Sequence, residues 1–221
     1  MTLTTMQNEN SKIRILLVDD HAVVRAGYQM LLRQSDKTEI IAEASSGEQA
    51  SKLFTDLKPD VVVMDLSLPG ISGLEAIRRI IRKDPNARIL VFSMHEDTVF
   101  VDQALRAGAR GYLTKNSAPK TLVKAIEEIA AGRIYIDDRV VQHLAFQKAR
   151  DEVGPFSGLS TREFEIFCLL AEGLNTSEIA TRLSIGYKTV ANYSSQIKNK
   201  LQVNTTAELA RLAIRHNILQ A

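Results

Sequence analysis

Between residues 13 and 131, short β-branched runs alternate with longer helical patterns, and this alternation limits the fold more than any other feature of the chain. Runs at 13–18 (IRILLV), 39–42, 61–64 (VVVM) and 88–92 (RILVF) predict strands, with a shorter fifth at 111–113 (GYL). They are almost continuously apolar, as strands are when a parallel sheet is buried between helices on both faces. Helices are predicted near 21–34, 46–57, 72–83, 97–107 and 118–131. Ser46 or Gly47 opens one of them, and Gly108 and Gly132 close two more. Five such units with right-handed crossovers make a doubly wound α/β sandwich. In that architecture ligands bind beyond the carboxyl ends of the strands, where the strand order reverses.

The rest of the chain reads differently. A short segment at 134–136 and a helix near 138–147 extend the first domain, and 148–158, with Gly154, Pro155 and Gly158, reads as a polar linker. From Leu159 onward the pattern is helical throughout, with helices expected at 160–172, 176–183, 187–201 and 206–216. Ser160 and Glu163 fit a capping box, and Gly173 stands where a helix should stop. The expected fold is therefore a five-stranded parallel α/β domain over 12–133, an extension helix and linker over 134–158, and an all-α four-helix domain over 159–221.

Composition removes several classes. At 45% hydrophobic and 24% charged residues, neither a collagen-like nor a wholly disordered chain is indicated. No apolar run reaches the ~18 residues of a membrane span. The polar start predicts no secretory signal, and a lone Cys168 makes neither an internal disulfide nor a cysteine zinc site. A soluble, cytoplasmic protein is expected. Charge is split along the chain. Residues 1–147 hold 19 Lys+Arg and 19 Asp+Glu, whereas 180–221 hold six basic residues against Glu208 alone, net +5. The basic end suits a polyanion, although such a stretch is also found on ordinary solvated helices.

Five residues fall at the predicted strand ends. Asp19 and Asp20 follow the first strand, Asp65 the third, Ser93 ends the fourth and Lys115 follows the fifth. An aspartate at a strand end is often only a helix cap, but all of these at four of the five strand termini point to one site. Three carboxylates gathered there carry −3, which Mg²⁺ and Lys115 bring to 0. An anionic phosphoryl group then meets no net repulsion, and a carboxylate such as Asp65 can act as its nucleophile.

The segments 17–21 (LVDDH), 65–75 (DLSLPGISGLE), 92–95 (FSMH) and 107–115 (AGARGYLTK) resemble the receiver domain of two-component response regulators. Residues 159–219 resemble the LuxR-type helix-turn-helix. Together they identify the chain with the NarL/FixJ branch, and 132–136 (GRIYI) with the following VVQH resembles its GacA/UvrY-like members. The resemblance implies a flavodoxin/CheY-like receiver in which Asp65 accepts phosphate from a sensor histidine kinase. It implies Mg²⁺ held by Asp19, Asp20, Asp65 and the Ser67 backbone carbonyl, with Lys115 and Ser93 on the phosphoryl group. Ser93 and Tyr112 form the switch pair, drawn inward on phosphorylation, and Ser67 and His95 take the variable places that tune hydrolysis. Such a chain is a switch with slow autodephosphorylation rather than a turnover enzyme. Where many receivers follow the lysine with a cis-proline, this chain has Asn116, so a trans bond is expected.

In the second domain, Ile179, Ala180, Leu183, Ile185, Val190 and Ile197 form the apolar skeleton of two crossing helices, with the turn at 184–186. With Val190 inward, Ala191, Asn192 and Ser195 face outward and match the family's base readers. Lys188, Thr189, Lys198 and Lys200 match its phosphate contacts. The implied partners are the kinase, promoter DNA, a second copy of the phosphorylated chain and RNA polymerase, with no membrane. Two rivals stay open on residues alone. An aspartate-dependent phosphatase lacks its Asp-x-Asp motif here, and a ligand-sensing LuxR-like regulator needs an aromatic pocket, against 5% aromatic residues and no Trp.

Overall fold

The computed structural model describes residues 12–149, 154–216, 218 and 219. Six parallel strands are β1 (Ile13–Val18), β2 (Thr38–Ala44), β3 (Val61–Met64), β4 (Ile89–Ser93), β5 (Gly111–Thr114) and β6 (Tyr135–Ile136). They lie in the order β2-β1-β3-β4-β5-β6. The sixth strand corrects the expected count of five: Tyr135 and Ile136 pair in parallel with Gly111 and Tyr112. A two-residue strand is too short for a periodicity to register. The order reverses between β1 and β3, and Val18 pairs with Met64 there, so Asp19 and Asp65 leave adjacent strands at the same level.

Period-two alternation distributes each strand between two layers. Leu16, Val18, Val62, Met64 and Val91 face α2 (Gly47–Leu57), α3 (Gly73–Lys83) and α4 (Thr98–Ala107). Ile15, Leu17, Val61, Val63, Leu90 and Leu113 face α1 (Ala22–Arg33) and α5 (Pro119–Ala130). Ser46 and Ser72 cap α2 and α3, accepting from the amides of Gln49 and Glu75. Gly108 closes α4 at φ 108° as expected. At Gly73 space decides the residue: a Cβ there would lie 2.1 Å from the Asp65 carbonyl, so glycine lets α3 start directly against the strand end that carries Asp65.

Beyond the sheet, α6 (Asp138–Ala149) runs past the expected end at 147. The rest of the expected linker is not wholly solvated. Phe156 is buried against Phe164, Phe167 and the ring of His216. The second domain holds α7 (Thr161–Ala171), α8 (Thr176–Leu183), α9 (Tyr187–Leu201) and α10 (Thr206–Arg215). Ser160 with Glu163, Asn175 with Glu178, and Thr205 with Glu208 form capping boxes. The helices close over Phe164, Ile166, Phe167, Ile179, Leu183, Val190, Ile197 and Leu209. Cys168 packs at the edge of this core, and burial pushes its thiol pKa up.

Candidate functional site

The sheet brings together the expected residues of the first domain. Asp19 and Asp65 are buried at the reversal of strand order, and Lys115 reaches both, with Nζ 2.6 Å from Asp19 Oδ2 and 2.7 Å from Asp65 Oδ2. The lysine loop is aligned with β4 by the Lys115 amide, which donates to the Ser93 carbonyl at 2.8 Å. The Ser67 amide turns back toward Asp65 Oδ1 at 3.4 Å. Burial pushes the Asp65 pKa above its usual value, against the opposing pull of Lys115. Burial disfavours the charged form of Lys115 too, but its bonds to Asp19 and Asp65 outweigh this and hold its pKa up.

One ligand atom each from Asp19, Asp20, His21 and Asp65 lie within 4.8 Å of one another. His21 is the member that sequence reasoning passed over. Its amide donates to Asp19 Oδ1 at 2.8 Å, and its Nδ1 lies 2.8 Å from Asp20 Oδ1. Sequence placed it next to the acidic pair, but an exposed residue at a helix start gave no signal of a role. Asp20 Oδ1 is itself buried and accepts no hydrogen bond in spite of that contact. A buried carboxylate oxygen that accepts no hydrogen bond, beside two further carboxylates, is a hard-oxygen donor set that fits Mg²⁺.

Ser93, Tyr112 and His95 form a second layer. Ser93 Oγ accepts from the His95 amide at 3.3 Å, and the Tyr112 hydroxyl donates to the His95 carbonyl at 2.7 Å. Tyr112 is fully buried. Burial pushes its pKa up and lowers that of His95. His95 Nε2 lies 3.3 Å from Ser67 Oγ, so the two variable positions touch. Asn116 follows Lys115 through a trans bond, since no cis peptide occurs among the described residues, and its Nδ2 donates to Glu96 Oε1 at 2.8 Å.

In the helical domain, Ser184 adopts a left-handed φ of 54° and turns the chain from α8 into α9. Val190 and Ile197 are buried, which leaves Lys188, Thr189, Asn192 and Ser195 exposed and Ala191 and Lys198 half-buried. Lys200, an expected phosphate contact, is engaged within the chain. Its Nζ is held by Glu163 Oε2 at 2.7 Å and the Gly158 carbonyl at 3.1 Å, an internal tie that a solvated-lysine reading of the sequence does not foresee.

The chain matches two family models, the response regulator receiver domain over residues 15–127 and the bacterial regulatory proteins of the luxR family over 157–213. It is 37% identical to the response regulator GacA of Pseudomonas aeruginosa, covering 95% of this chain and 99% of that one. It is 38% identical to UvrY of Escherichia coli over 95% of this chain and 97% of that one. The transcriptional activator protein ExaE of Pseudomonas putida is 42% identical over 93% and 98%. Among solved structures it resembles RcsB of Salmonella enterica serovar Typhimurium bound to promoter rprA with phosphomimetic BeF3⁻. There the TM-score is 0.74 and the identity 25%, over 91% of this chain and 98% of that one.

The raised Asp65 pKa sets the sign of a stability test. A carboxylate with a raised native pKa is best accommodated below its unfolded value, near 3.8, and its stability contribution falls as pH rises through the native value. Asp65→Asn is therefore expected to unfold at a higher urea concentration than the wild type at pH 7 without divalent cations. The gap should close below pH 3.8, and adding Mg²⁺ should also narrow it if the full carboxylate set holds the ion. An Asn variant less stable than wild type under all three conditions would show that Asp65 is not held at a cost.

Proposed function

The chain belongs to the response regulators that join a receiver to a LuxR-type DNA-binding domain, and from that premise we propose a transcriptional regulator switched by phosphorylation of Asp65. Residues 12–133 act as the receiver, 134–158 as extension and linker, and 159–221 as the DNA-binding domain. The observation that carries this reading is the placement of a buried Asp65 against Lys115 at the point where strand order reverses. A sensor histidine kinase supplies phosphohistidine. An Asp65 carboxylate oxygen attacks phosphorus, the P–N bond breaks with its electrons passing to the imidazole, and a proton neutralises the leaving histidine.

Asp19, Asp20, Asp65 and the Ser67 backbone carbonyl would hold Mg²⁺. When bound, the ion supplies positive charge toward the phosphoryl oxygens. Lys115, now bridging Asp19 and Asp65, redirects an N–H toward the phosphoryl group, and the Ser93 hydroxyl donates to it. Water then cleaves the acyl phosphate slowly, so the receiver is a switch and not a turnover enzyme. Phosphorylation favours a homodimer that engages two promoter half-sites about one helical turn apart, in the cytoplasm and within reach of RNA polymerase. On each half-site, Ala191, Asn192 and Ser195 meet base edges, while Lys188, Thr189 and Lys198 meet phosphates. Lys200 contributes there only if it leaves Glu163.

Two measurements test these roles. With Mg²⁺ and BeF3⁻, the wild type should dimerise and bind promoter DNA more tightly, and Asp65→Asn should do neither. Equal responses from the two proteins would reject Asp65 as the trigger. Lys198→Ala should weaken binding to every DNA sequence alike and lower the salt slope by about one. A loss confined to one operator would move Lys198 from the phosphates to a base edge.

A further inference from the structure

The two domains meet along a seam between α3 and α4 of the receiver and α7 of the DNA-binding domain. Ser72 Oγ donates to Glu165 Oε1 at 2.6 Å, and Arg162 lies 3.5 Å from Glu75. Gln103, fully buried, donates from Nε2 to the Leu159 carbonyl at 3.2 Å while its Oε1 accepts nothing. At the centre, the Phe100 ring meets Phe164 of α7 edge-on, with centroids 5.4 Å apart at 81°.

The other side of Phe100 leads back to the phosphorylation site. The His95 ring stacks on it with centroids 3.9 Å apart and planes at 17°. His95 is in turn gripped at three points by groups of that site. Its amide donates to Ser93 Oγ, its carbonyl accepts from Tyr112, and its Nε2 lies against Ser67 Oγ.

We propose that His95 is the positioning residue that couples the receiver's phosphorylation site to the seam: while Ser93 Oγ holds its amide, its ring supports Phe100 against Phe164 and keeps the domains closed. The inference rests on the reading of Asp65 as phosphoacceptor. A hydroxyl drawn to a phosphoryl group on Asp65 gives up the His95 amide. The loop from β4 to α4 then shifts, the stacked ring leaves Phe100, and the Phe100–Phe164 contact loses its backing. Opening also frees Arg182 of α8, whose Nε now donates to the Gly70 carbonyl of the receiver at 3.1 Å, for use on DNA.

The test uses the full chain, with amide hydrogen exchange in α7 as the measure of the seam and BeF3⁻ with Mg²⁺ as the probe. His95→Ala should raise α7 exchange about tenfold without BeF3⁻, toward the level of the wild type with it. His95→Phe, which keeps a stacking ring, should restore protection. Phe100→Leu alters no atom of the phosphorylation site, so it should open the seam and, by reciprocity, tighten BeF3⁻ binding by the same factor. A wild-type level of α7 protection in His95→Ala overturns the proposal, and so does an open seam in Phe100→Leu with unchanged BeF3⁻ affinity. Absence of BeF3⁻ binding to the wild type is a different failure. It rejects Asp65 as phosphoacceptor and removes the coupling, while His95→Ala still reports whether the ring holds the seam.

Discussion

Lys115 between Asp19 and Asp65 is the interaction on which the rest depends. Two buried carboxylates side by side repel strongly where water is scarce, and the ammonium bridging them at 2.6 and 2.7 Å makes that arrangement tolerable. The lysine does not cancel the whole charge, since Asp20 adds a third carboxylate at the edge and His21 meets it only as a contact. What remains is a site short of positive charge, with the buried Asp65 held above its ordinary pKa. Under the proposed reading, a divalent cation would complete it by adding positive charge, and a phosphoryl group on Asp65 would give Lys115 a new partner.

The scaffold explains why these groups meet. A parallel sheet with one reversal of strand order delivers the ends of β1 and β3 side by side, and Gly73 lets α3 start against them without a clash. The same layer of α3 and α4 that walls the site also carries α7. One apolar cluster runs from Met64 and Ile77 through Phe100 to Phe164 and Phe167, so the receiver and the DNA-binding domain share packing as well as a chain. A local change near Ser93 therefore has a short physical path to the second domain.

Much of this was legible in the sequence. Continuous apolar runs such as VVVM at 61–64 announced buried parallel strands, and the residue just past each run announced the site, because strand ends in this topology converge whatever their separation along the chain. Capping residues placed the helix starts at Ser46 and Ser160 to within a residue. Other features were silent for identifiable reasons. β6 is two residues long, Phe156 stood alone in a polar stretch, and the pairing of Lys200 with Glu163 joins residues 37 apart whose meeting depends on how α7 crosses α9. The closed seam was invisible because it rests on Phe100, Gln103 and Phe164, which lie in helices expected to belong to two separate domains.

Chemical labelling tests the central claim most directly. The full chain incubated with acetyl phosphate and Mg²⁺ should gain the mass of a single phosphoryl group, labile to hydroxylamine, on the peptide that contains Asp65. Lys115→Ala should take up far less, and chelation of the metal should abolish the gain. Full labelling without a divalent cation, or a phosphoryl group found on any other residue, would contradict the account.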